Sequence, residues 1–158
     1  MRGKRTTTGA AVLVGALAVT GLAFAPTASA VAPTTATITA SCGAFGGGAA
    51  TLTATQNGTS ATMTLSSTAI TTPLALAKDS ITAKLTMVRS AGGTVLFSGK
   101  KNPAIPAGGS VTVGPLNGTV TSGDRLEFFG GSLQMTVFGI SVSCTASANQ
   151  SPGPFVYN

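Results

Sequence analysis

The sequence predicts an all-β fold: an antiparallel, Ig-like β-sandwich of seven to nine strands held by one disulfide. Three observations predict it. Apolar residues alternate with Thr and Ser at a period of two over much of the chain, which marks strands half buried against a core. Turn signals rich in Gly and Asn recur about every ten residues, as in sandwiches. No segment is long and periodic enough to serve as a helical crossover between parallel strands.

Residues 1–30 stand apart. Arg2, Lys4 and Arg5 precede an apolar run from Ala10 to Ala25, and Ala28-Ser29-Ala30 forms a small-residue cleavage site. This is the pattern of a secretory signal peptide, cut after Ala30, so that the exported chain begins at Val31. The run is shorter than the roughly 20 residues of a spanning helix and Pro26 ends it, so no retained membrane anchor is expected. The organisation read from the sequence is a leader at 1–30, a secreted β-sandwich domain at 31–148 and a flexible tail at 149–158, where Ser151-Pro152-Gly153-Pro154 breaks any pattern.

Along the exported chain, Ala36, Ile38, Ala40 and Cys42 share the inner face of a first strand. After Gly46-Gly47-Gly48, the segments around Thr51-Leu52-Thr53-Ala54 and Ala61, Met63, Leu65 form a hairpin about Asn57-Gly58, residues that tolerate the positive φ of a tight turn. Pro73 to Lys78 has the composition of one or two helical turns, with Pro at a first helical position. Ile81, Ala83, Leu85 and Met87 line the next strand, which turns at Gly92-Gly93 into Thr94 to Phe97. Residues 100–109, with Pro103 and Pro106, read as a loop.

Short strands then flank a second Asn-Gly, Asn117-Gly118. Leu126 and Phe128 mark another strand, and Gly130-Gly131 reads as a turn into the last pair. In that pair the apolar parity changes from odd (Leu133, Met135, Val137) to even (Phe138, Ile140, Val142, Cys144). A β-bulge near Phe138-Gly139 would keep both runs facing the core.

Two cysteines in an exported chain predict one disulfide, Cys42 to Cys144, joining the first strand to the last. A lipid-modified Cys42 is the competing reading, but Thr39-Ala40-Ser41-Cys42 lies well past the apolar run. Charge excludes more than it suggests. Of nine Lys and Arg, three leave with the leader, and the remaining six face three acids. Those basic residues are scattered and the chain has one Tyr and no Trp, so no nucleic-acid interface is expected. The absence of His removes imidazole-based triads. Ser98-Gly99-Lys100-Lys101 has Ser-Lys dyad spacing, but at a strand end and not on a helix face. Asp124 and Glu127 fall on opposite faces of a strand, with Arg125 between them as a salt-bridge partner, and Asp79 is remote. These three carboxylates define neither a glycosidase pair nor a calcium site. Asn57-Gly58-Thr59 and Asn117-Gly118-Thr119 match the N-glycosylation pattern, which their turn role explains. No catalytic residue, metal or cofactor is expected.

The stretch Gly109 to Gly118, Gly131-Ser132-Leu133, and Val142-Ser143-Cys144-Thr145-Ala146 resemble small exported two-cysteine β-domains of actinobacteria. In those domains an early cysteine after a Thr-rich strand pairs with a late one in a Val-x-Cys-Thr motif. Cys42 and Cys144 stand at the matching places, although Thr39-Ala40-Ser41 replaces the usual aromatic. The resemblance implies fold and extracellular compartment and no reaction.

The resulting expectation is a non-enzymatic secreted or cell-surface protein that binds an extracellular protein or cell-wall polysaccharide, with sheet edges as one means of association. Two alternatives accompany it. One is inhibition of an extracellular protease by the 100–109 loop, with Lys100 or Lys101 as the bait residue. The other is a secreted enzyme using Asp or Glu.

Overall fold

The computed structural model describes residues 31–158. The expected signal peptide, 1–30, lies outside the described residues. Ten strands follow one another: β1 (Val31–Ala32), β2 (Thr35–Ser41), β3 (Gly47–Asn57), β4 (Ser60–Thr71), β5 (Thr82–Arg89), β6 (Thr94–Lys100), β7 (Ser110–Thr119), β8 (Arg125–Val137), β9 (Ile140–Ala146) and β10 (Phe155–Tyr157). A single 3₁₀ turn at Gly43–Phe45 interrupts them.

All pairings are antiparallel, and the ladder runs β8-β5-β6-β7-β4-β3-β2-β9 before β9 pairs back onto β8. The eight strands therefore close into a barrel. This corrects the expected two-sheet Ig-like sandwich: alternation fixes that each strand has one buried face, but a sandwich and a barrel demand the same alternation. The inward positions read from the sequence are buried, among them Ile38, Leu52, Met63, Leu85, Phe97, Leu126 and Leu133. Outward positions of β2 to β4 are mainly Thr and Ser. An apolar interior with a hydroxyl-bearing exterior is the inverse of a membrane-spanning barrel.

Several connections differ from expectation. The first hairpin turns on Gly58-Thr59, since Asn57 still pairs with Ser60. Asn117-Gly118 is no turn but the interior of β7, paired with Thr62 and Ala61. Gly130-Gly131 lies inside β8 as a bulge, where the β5 register shifts between Thr86 and Val88. Conversely, Phe138-Gly139 is a two-residue hairpin with both φ positive, at 50° and 77°, and Val137 paired to Ile140. That is type I′ geometry. It accounts for the parity change, because partners across such a turn share a face. Residues 73–78 form no helix. Leu76 instead bridges Ile105, and the 72–81 segment crosses one end of the barrel past β7 and β6 to reach β5. The short apolar alternation there serves burial of Leu76 rather than a helical stripe.

The last ten residues are an element of the fold rather than a flexible tail. Phe155 pairs with Leu126 of β8, Val31 of β1 pairs with Tyr157, and Gln56 of β3 donates to the Asn158 carbonyl at 2.6 Å. Strands β1 and β10 thus cover the end where β3 finishes and β8 begins, with Phe155 and Tyr157 fully buried.

The disulfide joins Cys42 to Cys144, and all described cysteine is in it. It sits on the closing seam. Ala40 pairs with Ala146 and Ser41 with Thr145, so the next opposed positions are the two cysteines, with Cα atoms 4.0 Å apart.

Candidate functional site

With one end covered by β1 and β10, the other end carries an apolar opening. There β2, β4, β6 and β8 finish and β3, β5, β7 and β9 begin. A cavity of about 390 Å³ opens between the seam, the β8–β9 hairpin and the 72–81 crossing. Its walls include Cys42, Ile81, Val111, Met135 and Val142. No lining residue is ionisable.

Several polar groups of this mouth are already engaged within the chain. Thr72 Oγ1 donates to the Leu74 carbonyl at 2.7 Å, and its backbone bonds Gly108 and Gly109. Leu76 and Ile105 exchange two backbone bonds of 2.8 and 2.9 Å, and Cys42 N–H donates to the Gly46 carbonyl. An occupant of the cavity therefore meets mainly hydrocarbon, with the Thr71 hydroxyl as a polar exception, which suits a largely apolar group.

The rim is apolar too. Of the six exposed large hydrophobic residues among the described residues, four lie here: Phe45 at 54%, Leu74 at 61%, Phe138 at 68% and Ile140 at 55%. Phe138 holds φ at 50°. A bulky aromatic in that left-handed region is an outlier, costing on the order of 1 kcal/mol or more, whereas Asn or Gly would sit there readily.

The sequence-derived candidates fall elsewhere. Lys100 is the exposed last residue of β6, and Lys101 Nζ lies 3.8 Å from Asp79 Oδ2 in an exposed pair. The loop they enter is fastened by buried Asn102, whose Oδ1 accepts from Ser80 and Ile81 N–H and whose Nδ2 donates to the Ala77 and Pro103 carbonyls. Ser98 sits within β6 in register with Lys84 and Asn117.

Asp124 and Glu127 lie at the covered end. Burial pushes the Asp124 carboxyl up, but hydrogen bonds from Arg89 at 2.8 Å and from Thr121 N–H outweigh it and hold the group below its ordinary value. Its partner is thus Arg89 of β5, not Arg125 as expected. Glu127 is pushed up by burial, with only a long bond from Gln150 N–H opposing. Among the described residues, no three His, Cys, Asp or Glu side chains gather to hold a metal.

The sequence reading missed the mouth. Its residues come from five separate stretches of the chain, and only Phe138, an aromatic before Gly at a parity change, carried a local signal.

What the fold and the mouth define is a small all-β domain, a closed antiparallel barrel with one disulfide and an apolar opening at one end. No known protein family, curated protein or solved structure matches the chain.

Proposed function

We propose that this chain is a non-enzymatic, exported binding module that takes an apolar group of its partner into the barrel mouth. The cavity at that mouth carries the reading: about 390 Å³, no ionisable lining, a predominantly apolar wall and four exposed hydrophobic residues on its rim. Exposed apolar patches rimming a cavity mark interaction sites. Export and kinship with the actinobacterial two-cysteine domains fit the disulfide and the leader-like 1–30 segment. Edge-strand pairing is the weaker mode, since closure removes the edges of eight strands. Polysaccharide is the weaker partner class, because the chain's one Tyr is buried and the mouth offers no free hydroxyl-binding array.

The test is fluorescence of the neutral dye Nile red with residues 31–158, which contain every described strand. Blue-shifted emission that Ile140→Ser and Leu74→Ser reduce supports the reading; emission equal to that in buffer ends it. On broad hydrolase panels the same protein gives no turnover, and turnover abolished by Lys101→Ala would overturn the non-enzymatic assignment.

The protease-inhibitor alternative has one observation in its favour, the bracing of the loop by Asn102. Incubation with trypsin decides it: cleavage after Lys101 without inhibition removes the alternative.

A further inference from the structure

The barrel is electrically lopsided along its axis. At the open end stand Lys78 on the crossing, Lys84 near the start of β5, and Lys100 and Lys101 at the end of β6, against one acid, Asp79. At the covered end Arg89 and Arg125 face Asp124 and Glu127. The net positive charge of the described residues therefore lies wholly at the open end. Asp79 neutralises Lys101, while Lys78, Lys84 and Lys100 are exposed and in no ion pair among the described residues. These lysines stand on β5, β6 and the crossing, around the rim from Phe45, Phe138 and Ile140.

We infer that this end docks on a bilayer bearing anionic headgroups, with Phe138, Ile140, Leu74 and Phe45 entering the interface and the lysines meeting lipid phosphates. The inference rests on the reading of the mouth as the binding site and names its partner. Apolar and aromatic side chains flanked by lysines are the composition of surfaces that lie in the headgroup region without spanning the membrane. Headgroup attraction needs no fixed hydrogen-bond geometry, which matches a mouth whose wall is mainly apolar and carries no ionisable group. The unfavourable φ of Phe138 holds an aromatic ring at the tip of the β8–β9 hairpin, where a stability-optimised turn would carry Asn.

Flotation of residues 31–158 with vesicles of phosphatidylcholine and phosphatidylglycerol tests this, beside Nile red binding. The wild type is expected to float with vesicles containing phosphatidylglycerol, and to be released from them by about 1 M salt, which shortens the Debye length to roughly 3 Å. It should float weakly or not at all with phosphatidylcholine alone. Phe138→Asn relieves the backbone and should leave the thermal midpoint equal or higher while lowering vesicle affinity about tenfold. Lys84→Gln with Lys100→Gln should lower it roughly 25-fold, about fivefold for each lysine. Absence of flotation at low salt overturns the inference, as does flotation that Phe138→Asn leaves unchanged or that is equal on uncharged vesicles. If Nile red still binds in those cases, the apolar mouth stands and only the lipid partner falls; if the dye fails as well, both fall.

Discussion

The ring of Phe97 on β6 lies directly over Gly118 on β7, so that a Cβ added at Gly118 would stand 2.5 Å from Phe97 Cδ1. Phe97 is fully buried, and its ring has no room to retreat. Gly118→Ala should therefore destabilise the domain by about 1–3 kcal/mol, the usual cost of overpacking a core. Urea unfolding followed by far-UV circular dichroism measures it. Gly58→Ala is a poor control because Gly58 holds φ at 60°; Gly99→Ala, whose Cβ finds its nearest neighbour at 3.5 Å, should cost less.

That contact also explains what the sequence concealed. Inner faces were legible wherever alternation ran unbroken, as along Ala36 to Cys42 and Ile81 to Met87. Glycines misled because one residue type serves three purposes. It turns the chain at Gly58, admits a ring at Gly118, and lets β8 bulge at Gly130 with φ of 84°. At Gly131 a Cβ would collide with the Thr86 carbonyl. Sequence spacing cannot separate these uses, since the neighbour that requires the glycine lies on another strand. The same limit hid the barrel, whose closure depends on which strands meet across the seam. The Phe155-Val156-Tyr157 alternation was visible, but the prolines before it masked its role. The mouth was illegible for a further reason: its exposed Phe138 and Ile140 continue a pattern that elsewhere means burial.

The two carboxylates of the covered end should affect acid stability in opposite directions. Asp124 titrates below its ordinary value of 3.8 in the folded protein, so its contribution is present above that pH and is lost as pH falls through the lower folded value. Asp124→Asn should cost about 1.5–3 kcal/mol at neutral pH, the range for hydrogen bonds to a charged group, and progressively less in acid. Glu127 titrates above its ordinary 4.5, so its ionisation opposes folding as pH rises past that point. Glu127→Gln should stabilise the domain at neutral pH and make no difference in strong acid. Urea midpoints from pH 2 to 7 compare the variants, and parallel curves for both would remove this electrostatic account.

Cutting the seam staple should loosen the open end first. The Cys42–Cys144 bond spans 102 residues, and in the chain-entropy model a loop of that length contributes up to about 4.7 kcal/mol. Beyond it, β2 and β9 share only two register pairs, with further bonds from Ser147 N–H to Thr39 and between Ser151 and Thr37. Cys42→Ala with Cys144→Ala should cost about 2–5 kcal/mol, and hydrogen exchange should accelerate in β2 and β9 before β4 and β7. Uniform acceleration across the barrel would show that the bond acts on global unfolding alone.

Tyr157 supplies a direct optical reading of the covered end. Its hydroxyl is buried and has no hydrogen-bond partner among the described residues. Burial, and then the nearby Asp124 charge, push its ionisation far above the ordinary value of 10. A phenol whose folded pKa is raised contributes stability that is complete below its unfolded pKa and is lost as pH rises through the range above it. The native domain should thus resist phenolate formation at pH values where free tyrosine is ionised, and unfolding should become easier from about pH 10 upward. Since the chain holds one Tyr and no Trp, phenolate absorbance during an alkaline titration reports this residue alone. Tyr157→Phe removes an unpartnered buried hydroxyl and should raise stability by about 1 kcal/mol or more at neutral pH while weakening the alkaline loss. A phenolate titrating near 10 in the folded protein, or a Phe variant less stable than wild type, would mean that the hydroxyl is bonded or hydrated and that β10 packs less tightly over the barrel end than described.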